Sequence, residues 1–158
     1  MPSSPVDPSS RSSSTVSNLQ SFSPRVGMVS FRVRDIERAL RFYVDVLGME
    51  ETMRIPGLGP NEHELVLSYP GKSGAAVMLM WNSQRDEPYV RGDAYNRITL
   101  LVDDVRGALE HLTRHNVPVL MPVTSANGVQ YAVVRDPEGF LIELLQLAQP
   151  DAPEGSRA

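Results

Sequence analysis

Apolar and polar positions along this chain fall into one pattern that occurs twice. The segment from Val29 to Leu40 (VSFRVRDIERAL) aligns without gaps on the segment from Ile98 to Leu109 (ITLLVDDVRGAL), with identities at Val33/Val102, Asp35/Asp104, Ala39/Ala108 and Leu40/Leu109. Each copy begins with a run of β-branched and apolar residues, which predicts a strand ending at Val33 or Val102. Asp35 or Asp104 then stands where a helix N-cap carboxylate accepts from free first-turn amides. An amphipathic helix follows, its apolar face made of Ile36, Leu40, Tyr43 and Val44 in the first copy. In the second copy that face is Val105, Ala108, Leu109 and Leu112. Gly48 and Asn116 occupy the places where a helix end favours a residue that tolerates positive φ.

Three further strands are predicted in each copy. They cover about Glu50–Ile55, Glu64–Ser68 and Ala75–Trp81, then Val119–Val123, Val129–Arg135 and Leu141–Leu147, with a turn at Pro137-Glu138-Gly139. The predicted fold class is therefore α+β: two βαβββ modules, about 26–82 and 97–148, whose curved sheets face a cavity and carry helices on their outer faces. Together the modules are expected to form one folded domain over 25–148. Residues 1–24 are crowded with Ser and Pro and lack apolar periodicity, which predicts a disordered tail, as does the short polar stretch 149–158. The first segment has no continuous apolar run of the secretory kind.

Composition narrows the function classes. The chain of 158 residues is 41% hydrophobic and carries a formal net charge of −4, so no electrostatic footprint for nucleic acid is present. No apolar run approaches the roughly 20 residues a membrane span needs. Cysteine is absent, which removes disulfides, thiolate nucleophiles and Cys-based zinc sites, and makes a reducing cytoplasm the expected compartment.

Phe42-Tyr43 with Val46-Leu47-Gly48-Met49, Trp81-Asn82, Gly92 with Tyr95, and Asp136-Pro137-Glu138-Gly139-Phe140 with Ile142-Glu143-Leu144 resemble glyoxalase I of the vicinal-oxygen-chelate (VOC) superfamily. The resemblance runs from about Val26 to Leu147. It implies paired βαβββ modules, a small-molecule substrate, a homodimer and four metal ligands at symmetry-related places. Carried across residue by residue, those places are Met28, Met78, Arg97 and Glu143. Only Glu143 keeps a ligand type. Thioethers are poor donors to a hard or borderline divalent ion, and a guanidinium has no lone pair to give. No metal and no cofactor are therefore expected. The resemblance also gives Arg32 and Asn82 contacts to a ligand carboxylate, whereas Asn127 and Val129 stand where the family has basic loop residues.

The candidate site thus consists of Glu143 as proton carrier and Arg97 as a bidentate partner for an enolate or carboxylate oxygen. Met28, Met78, Met80 and Trp81 are expected to line the cavity beside them, Arg32 and Asn82 to bind substrate, and His63 to assist. A salt bridge that serves only structure is the competing account of Arg97 and Glu143. His111 and His115 share helical i, i+4 spacing but fall on the polar side of their helix, where a solvated face is expected. The stretch Pro56-Gly-Leu-Gly-Pro60 lacks the context of a phosphate loop and is expected to be a mobile loop over the cavity mouth. The expected function is metal-independent lyase or isomerase chemistry on a small carbonyl or carboxylate compound. The alternative is a non-catalytic protein that sequesters an aromatic or drug-like ligand, as bleomycin-resistance proteins do.

Overall fold

The computed structural model describes residues 26–148 apart from residue 73, so both predicted tails lie outside the described residues. The chain builds two four-stranded sheets of the same topology. In the first module β1 (Met28–Arg32) is followed by helix α1 (Ile36–Leu40), then β2 (Glu50–Pro56), β3 (Glu62–Ser68) and β4 (Ala76–Asn82). The second module has β5 (Arg97–Leu101), α2 (Val105–Arg114), β6 (Val119–Ala126), β7 (Val129–Arg135) and β8 (Leu141–Gln146). The strand orders are β1-β4-β3-β2 and β5-β8-β7-β6. In each sheet the first strand lies parallel to the last, and the other neighbours are antiparallel.

The repeat is visible at the level of single groups. Asp35 accepts from the amide of Arg38, and Asp104 accepts from the amides of Arg106 and Gly107. Gly48 and Asn116 both close their helices with positive φ, at 73° and 58°. The first helix departs from the pattern. Beyond Leu40 the chain widens into a π-helical segment, Arg41–Val46, in which the amide of Leu47 bonds the carbonyl of Phe42. The slower rotation per residue lets the consecutive residues Phe42 and Tyr43 both turn inward, and both are buried.

One core unites the modules. Phe31, Val33, Leu65, Leu67, Val77 and Leu79 from the first meet Val105, Leu112, Val134, Ile142 and Leu144 from the second. Each fully buried leucine here contributes about 1.5–3 kcal/mol relative to exposure. Three contacts tie the halves together. The rings of Phe31 and Phe140 lie 4.8 Å apart, the Tyr43 hydroxyl donates to Asp136 Oδ2 at 2.8 Å, and His111 Nε2 meets the carbonyl of Val46 at 2.9 Å. His111 is therefore half-buried between modules rather than on a solvated face. His115 Nδ1 lies 2.9 Å from the carbonyl of His111. Because carbonyls only accept, each ring must spend an N–H here, and the pair is held by main chain rather than arranged around a metal.

Candidate functional site

Strand alternation decides which side chains face away from the helices. On β1 these are Met28, Ser30 and Arg32, because Phe31 on the opposite face enters the core. On β4 they are Met78, Met80 and Asn82, since Val77, Leu79 and Trp81 belong to the core cluster. On β5 and β8 they are Arg97, Thr99, Leu101, Leu141, Glu143 and Leu145, with Ile142 and Leu144 on the core side.

Two of the expected site residues are thus on the other face. Trp81 is buried toward the helices, and His63 stacks on its ring with centroids 4.9 Å apart. The expectation that Trp81 lines the cavity and that His63 assists there is corrected by the one-residue parity of β3 and β4. Trp81 follows Met80 and so points the opposite way, where Arg54 also lies over its ring at 5.8 Å.

On the helix-free face of the second sheet Arg97 and Glu143 form an ion pair, Nη2 to Oε1 at 3.1 Å. Among the described residues Glu143 is one of two buried charged or polar residues, only 8% exposed, whereas the Arg97 side chain is 41% exposed. Thr99, directly opposite Glu143 in the parallel register, donates its hydroxyl to Oε2 at 2.8 Å. Both carboxylate oxygens are therefore engaged by β5. Thr99 was not singled out from the sequence, although its place two residues after Arg97 puts it on the same face.

The equivalent place in the first sheet holds Met78 beside Ser30, whose hydroxyl lies 3.5 Å from the sulfur, with Met28 half-exposed at the strand start. Among the described residues no hydrogen bond or ion pair joins this pair of methionines to Arg97 and Glu143. A divalent ion does not fit these four positions: two offer only thioether sulfur, one offers only N–H donors, and the remaining carboxylate already answers a guanidinium and a hydroxyl. Among the described residues no three His, Asp or Glu side chains converge as a metal site would require.

Arg32 and Asn82 do come together. They line a pocket of about 760 Å³ with Glu62, Arg85 and Tyr89. Arg32 Nη1 donates to Glu62 Oε1 at 2.6 Å. Asn82 is anchored in its own loop, its amide nitrogen donating to the Pro60 carbonyl and its oxygen accepting from the Gln84 amide. The Pro56–Pro60 stretch is the tight connection of β2 to β3, closed by the Gly57 amide on the Glu62 carbonyl at 2.8 Å. A second, more apolar cleft runs between the modules past Val29, Val77, Thr99, Leu101 and Leu145.

Besides Glu143, two buried titratable groups, Tyr43 and Asp136, meet at the module junction. Burial raises the Asp136 carboxyl above its ordinary value, against the hydrogen bonds it accepts from Tyr43 and from the amides of Phe140 and Gly139. Burial, with the Asp136 carboxylate beside it, raises the Tyr43 phenol well above its own ordinary value.

Comparison with known proteins agrees with this architecture. The chain is 30% identical over 139 residues to a probable lactoylglutathione lyase of Vibrio parahaemolyticus, covering 81% of this chain and 94% of that protein. It is 32% identical to the lactoylglutathione lyase of Haemophilus influenzae, over 73% of this chain and 87% of that one. Among solved structures, the trypanothione-dependent glyoxalase I of Leishmania major superposes with a TM-score of 0.67 at 30% identity, over 78% of this chain and 87% of that chain. The sequence profile of the Glyoxalase/Bleomycin resistance protein/Dioxygenase superfamily matches residues 25–144. With two sheets of β1-β4-β3-β2 order and that profile spanning both, the chain belongs to this superfamily and has its glyoxalase-like fold.

Proposed function

We propose that this glyoxalase-like protein moves a proton on a small carbonyl or carboxylate compound without a divalent metal. The observation that carries the reading is the Arg97–Glu143 pair with Thr99 on the open face of the second sheet. Glu143 would take a proton from the carbon next to a carbonyl. The electron pair of that C–H bond moves onto the carbonyl oxygen, and the exposed guanidinium of Arg97 swings to hold the resulting enolate. In an isomerase the substrate carries a hydroxyl on that carbon: its proton passes to the former carbonyl oxygen, Glu143 returns its own proton to the former carbonyl carbon, and the carbonyl ends one carbon along. In a lyase the enolate electrons instead expel a group from the next carbon, which leaves with its bonding pair. A carboxylate has about four lone-pair directions, so the two contacts from Arg97 and Thr99 leave room for a third partner. Thr99 fixes the carboxylate while Arg97 moves. The same reading takes the protein to be cytoplasmic and homodimeric, the exposed first strands β1 and β5 offering edges to a partner.

One observation favours the second reading, a protein that binds a ligand without transforming it. Both oxygens of Glu143 are engaged, one by the Arg97 guanidinium and the other by the Thr99 hydroxyl, as in a pair that serves only to line a binding site. The two readings separate in one experiment. Protein dialysed against EDTA is incubated in D₂O with dihydroxyacetone and methylglyoxal, and deuterium at the carbon next to the carbonyl is followed by NMR. Incorporation that disappears in Glu143→Gln supports the proposal. Ligand-induced thermal stabilisation without incorporation, unchanged in Glu143→Gln, supports the binding protein. About one metal per chain in the purified protein, lost together with activity in Glu143→Ala, would overturn the metal-independent reading.

A further inference from the structure

The pocket beside Arg32 differs in one respect from a site prepared for an anionic ligand. We propose that Glu62 is a specificity-determining residue, a built-in carboxylate that occupies the Arg32 guanidinium and makes the pocket select neutral or cationic polar groups over carboxylates.

Arg32 ends β1 on the helix-free face, and its Nη1 reaches Glu62 Oε1 at 2.6 Å, a short charge-assisted contact. The second oxygen of Glu62 is held as well, accepting from the Gly59 amide at 3.2 Å. Loop and side chain are fitted to one another. A Cβ on Gly57 would stand 2.6 Å from the Glu62 Cβ, and one on Gly59 would stand 3.1 Å from Glu62 Oε2. The glycines thus let the β2–β3 connection close against Glu62 and keep its carboxylate aimed at Arg32. In keeping with this geometry, Glu62 raises the Arg32 guanidinium and Arg32 lowers the Glu62 carboxyl from their ordinary values. The Tyr89 phenol adds to the shift of Arg32 by proximity, although its buried hydroxyl makes no aligned hydrogen bond.

The rest of the lining points the same way. Arg85 lies over the Tyr89 ring at 4.5 Å and donates to the carbonyls of Glu87 and Pro88, so its cation is already turned to its own loop. Glu62, Asp86 and Glu87 face Arg32 and Arg85 around the pocket, leaving one net negative charge. A ligand carboxylate arriving here meets a guanidinium in use and an excess of its own sign. An amine, amidinium or hydroxyl meets the carboxylates of Glu62, Asp86 and Glu87 and the Asn61 side chain.

This inference concerns a pocket lined by none of the residues of the proposed Arg97–Glu143 site, and it is read by binding alone, so it can fail while turnover stands, and the reverse. The test uses two probes of like size and opposite charge, benzamidine and benzoate. Each is titrated into the full-length protein while the side-chain amide of Asn82 and the backbone amide of Tyr89 are followed by NMR. Benzamidine should shift both signals and bind at least about tenfold more tightly than benzoate (about 1.4 kcal/mol). In Glu62→Gln the preference should reverse or vanish, because the guanidinium is freed and a negative charge removed. Equal affinity in the unaltered protein, an unchanged ratio in Glu62→Gln, or no response to either probe would overturn it. Should Glu62→Gln fail to fold, the preference of the unaltered protein still decides the matter. Arg32→Gln then provides the second variant: with Glu62 released and a positive charge removed, it should bind benzamidine more tightly, and weaker binding would overturn the proposal.

Discussion

Arg97→Ala should destabilise the protein more than Glu143→Gln, although each removes the same ion pair. The asymmetry comes from burial: the Arg97 side chain is 41% exposed and that of Glu143 only 11%. Without Arg97, a carboxylate in the sheet keeps one donor, the Thr99 hydroxyl. Leaving a charged acceptor under-satisfied in this way costs about 1–3 kcal/mol. The figure of about 3–5 kcal/mol for breaking a fully buried pair is too high here, because water already reaches the guanidinium and can enter where it stood. In Glu143→Gln the amide oxygen still accepts from Thr99, and the freed guanidinium turns to solvent, so the loss should stay within about 1 kcal/mol. The double variant Arg97→Ala/Glu143→Gln should cost less than the two single changes added together, by about 1 kcal/mol, since no charge is then stranded. Urea denaturation at neutral pH, with a common slope for all four proteins, measures each value. Equal losses in the two single variants, or strict additivity in the double, would refute this account of the pair.

Further outcomes follow from the module junction and the helix caps. Tyr43→Phe removes the hydroxyl that bonds Asp136 across the modules and should lower stability by about 1–2 kcal/mol, read from the urea midpoint. Asp136 titrates in the opposite sense to a salt-bridged aspartate. Its carboxyl is raised above 3.8, chiefly by burial, so the folded state holds the proton more tightly than the unfolded chain. Its contribution is therefore most favourable at low pH and is withdrawn as pH rises from 3.8 through the raised value. Asp136→Asn should flatten the stability profile across that interval, and denaturation curves taken from about pH 3.5 upward would expose an unchanged slope. Asp104→Ala strips the cap from α2 and should cost about 1 kcal/mol, measured as a shift in melting temperature.

Much of the fold was legible because its signals are local. The gapless match of Val29–Leu40 to Ile98–Leu109, the capping carboxylates Asp35 and Asp104, and the closing residues Gly48 and Asn116 depend on backbone chemistry within a few positions. The strand limits moved by one to three residues, where hairpin pairing extends β3 back to Glu62 and β6 on to Ala126. The π-helical turn at Arg41–Val46 left no trace in the pattern, since packing of Phe42 and Tyr43 favours it rather than intrinsic preference. Placement of Arg97 with Glu143 followed from the repeat together with the family resemblance. Which partner is buried did not, because that depends on neighbours from β7 and β8. Trp81 and His63 share the helix-covered face because strand parity, not residue type, decides the side a side chain takes. Glu62 carries no signal in the pattern, because an ion pair between β1 and β3 has no sequence neighbourhood to announce it.

The parallel pairing of first with last strand in each sheet sets the order in which this chain can fold. Strand β1 cannot find β4 until the whole first module has left the ribosome, the Ser30–Met78 contact bridging 48 residues. The Thr99–Glu143 contact imposes a similar wait of 44 residues on the second module. Each half therefore closes as one loop of nearly the same length, and the first can do so while the second is still being made. The bond between Tyr43 and Asp136 spans 93 residues, about twice as far, which adds only about 0.6 kcal/mol of closure entropy. Kinetically it must still come after Asp136 is synthesised. Until then Phe31 on β1 and Tyr43 on the widened turn lack the second-module partners, Phe140 and Asp136, that they meet in the finished fold. That interval, rather than any weakness of the finished fold, is when the nascent chain is most open to association with another copy of itself.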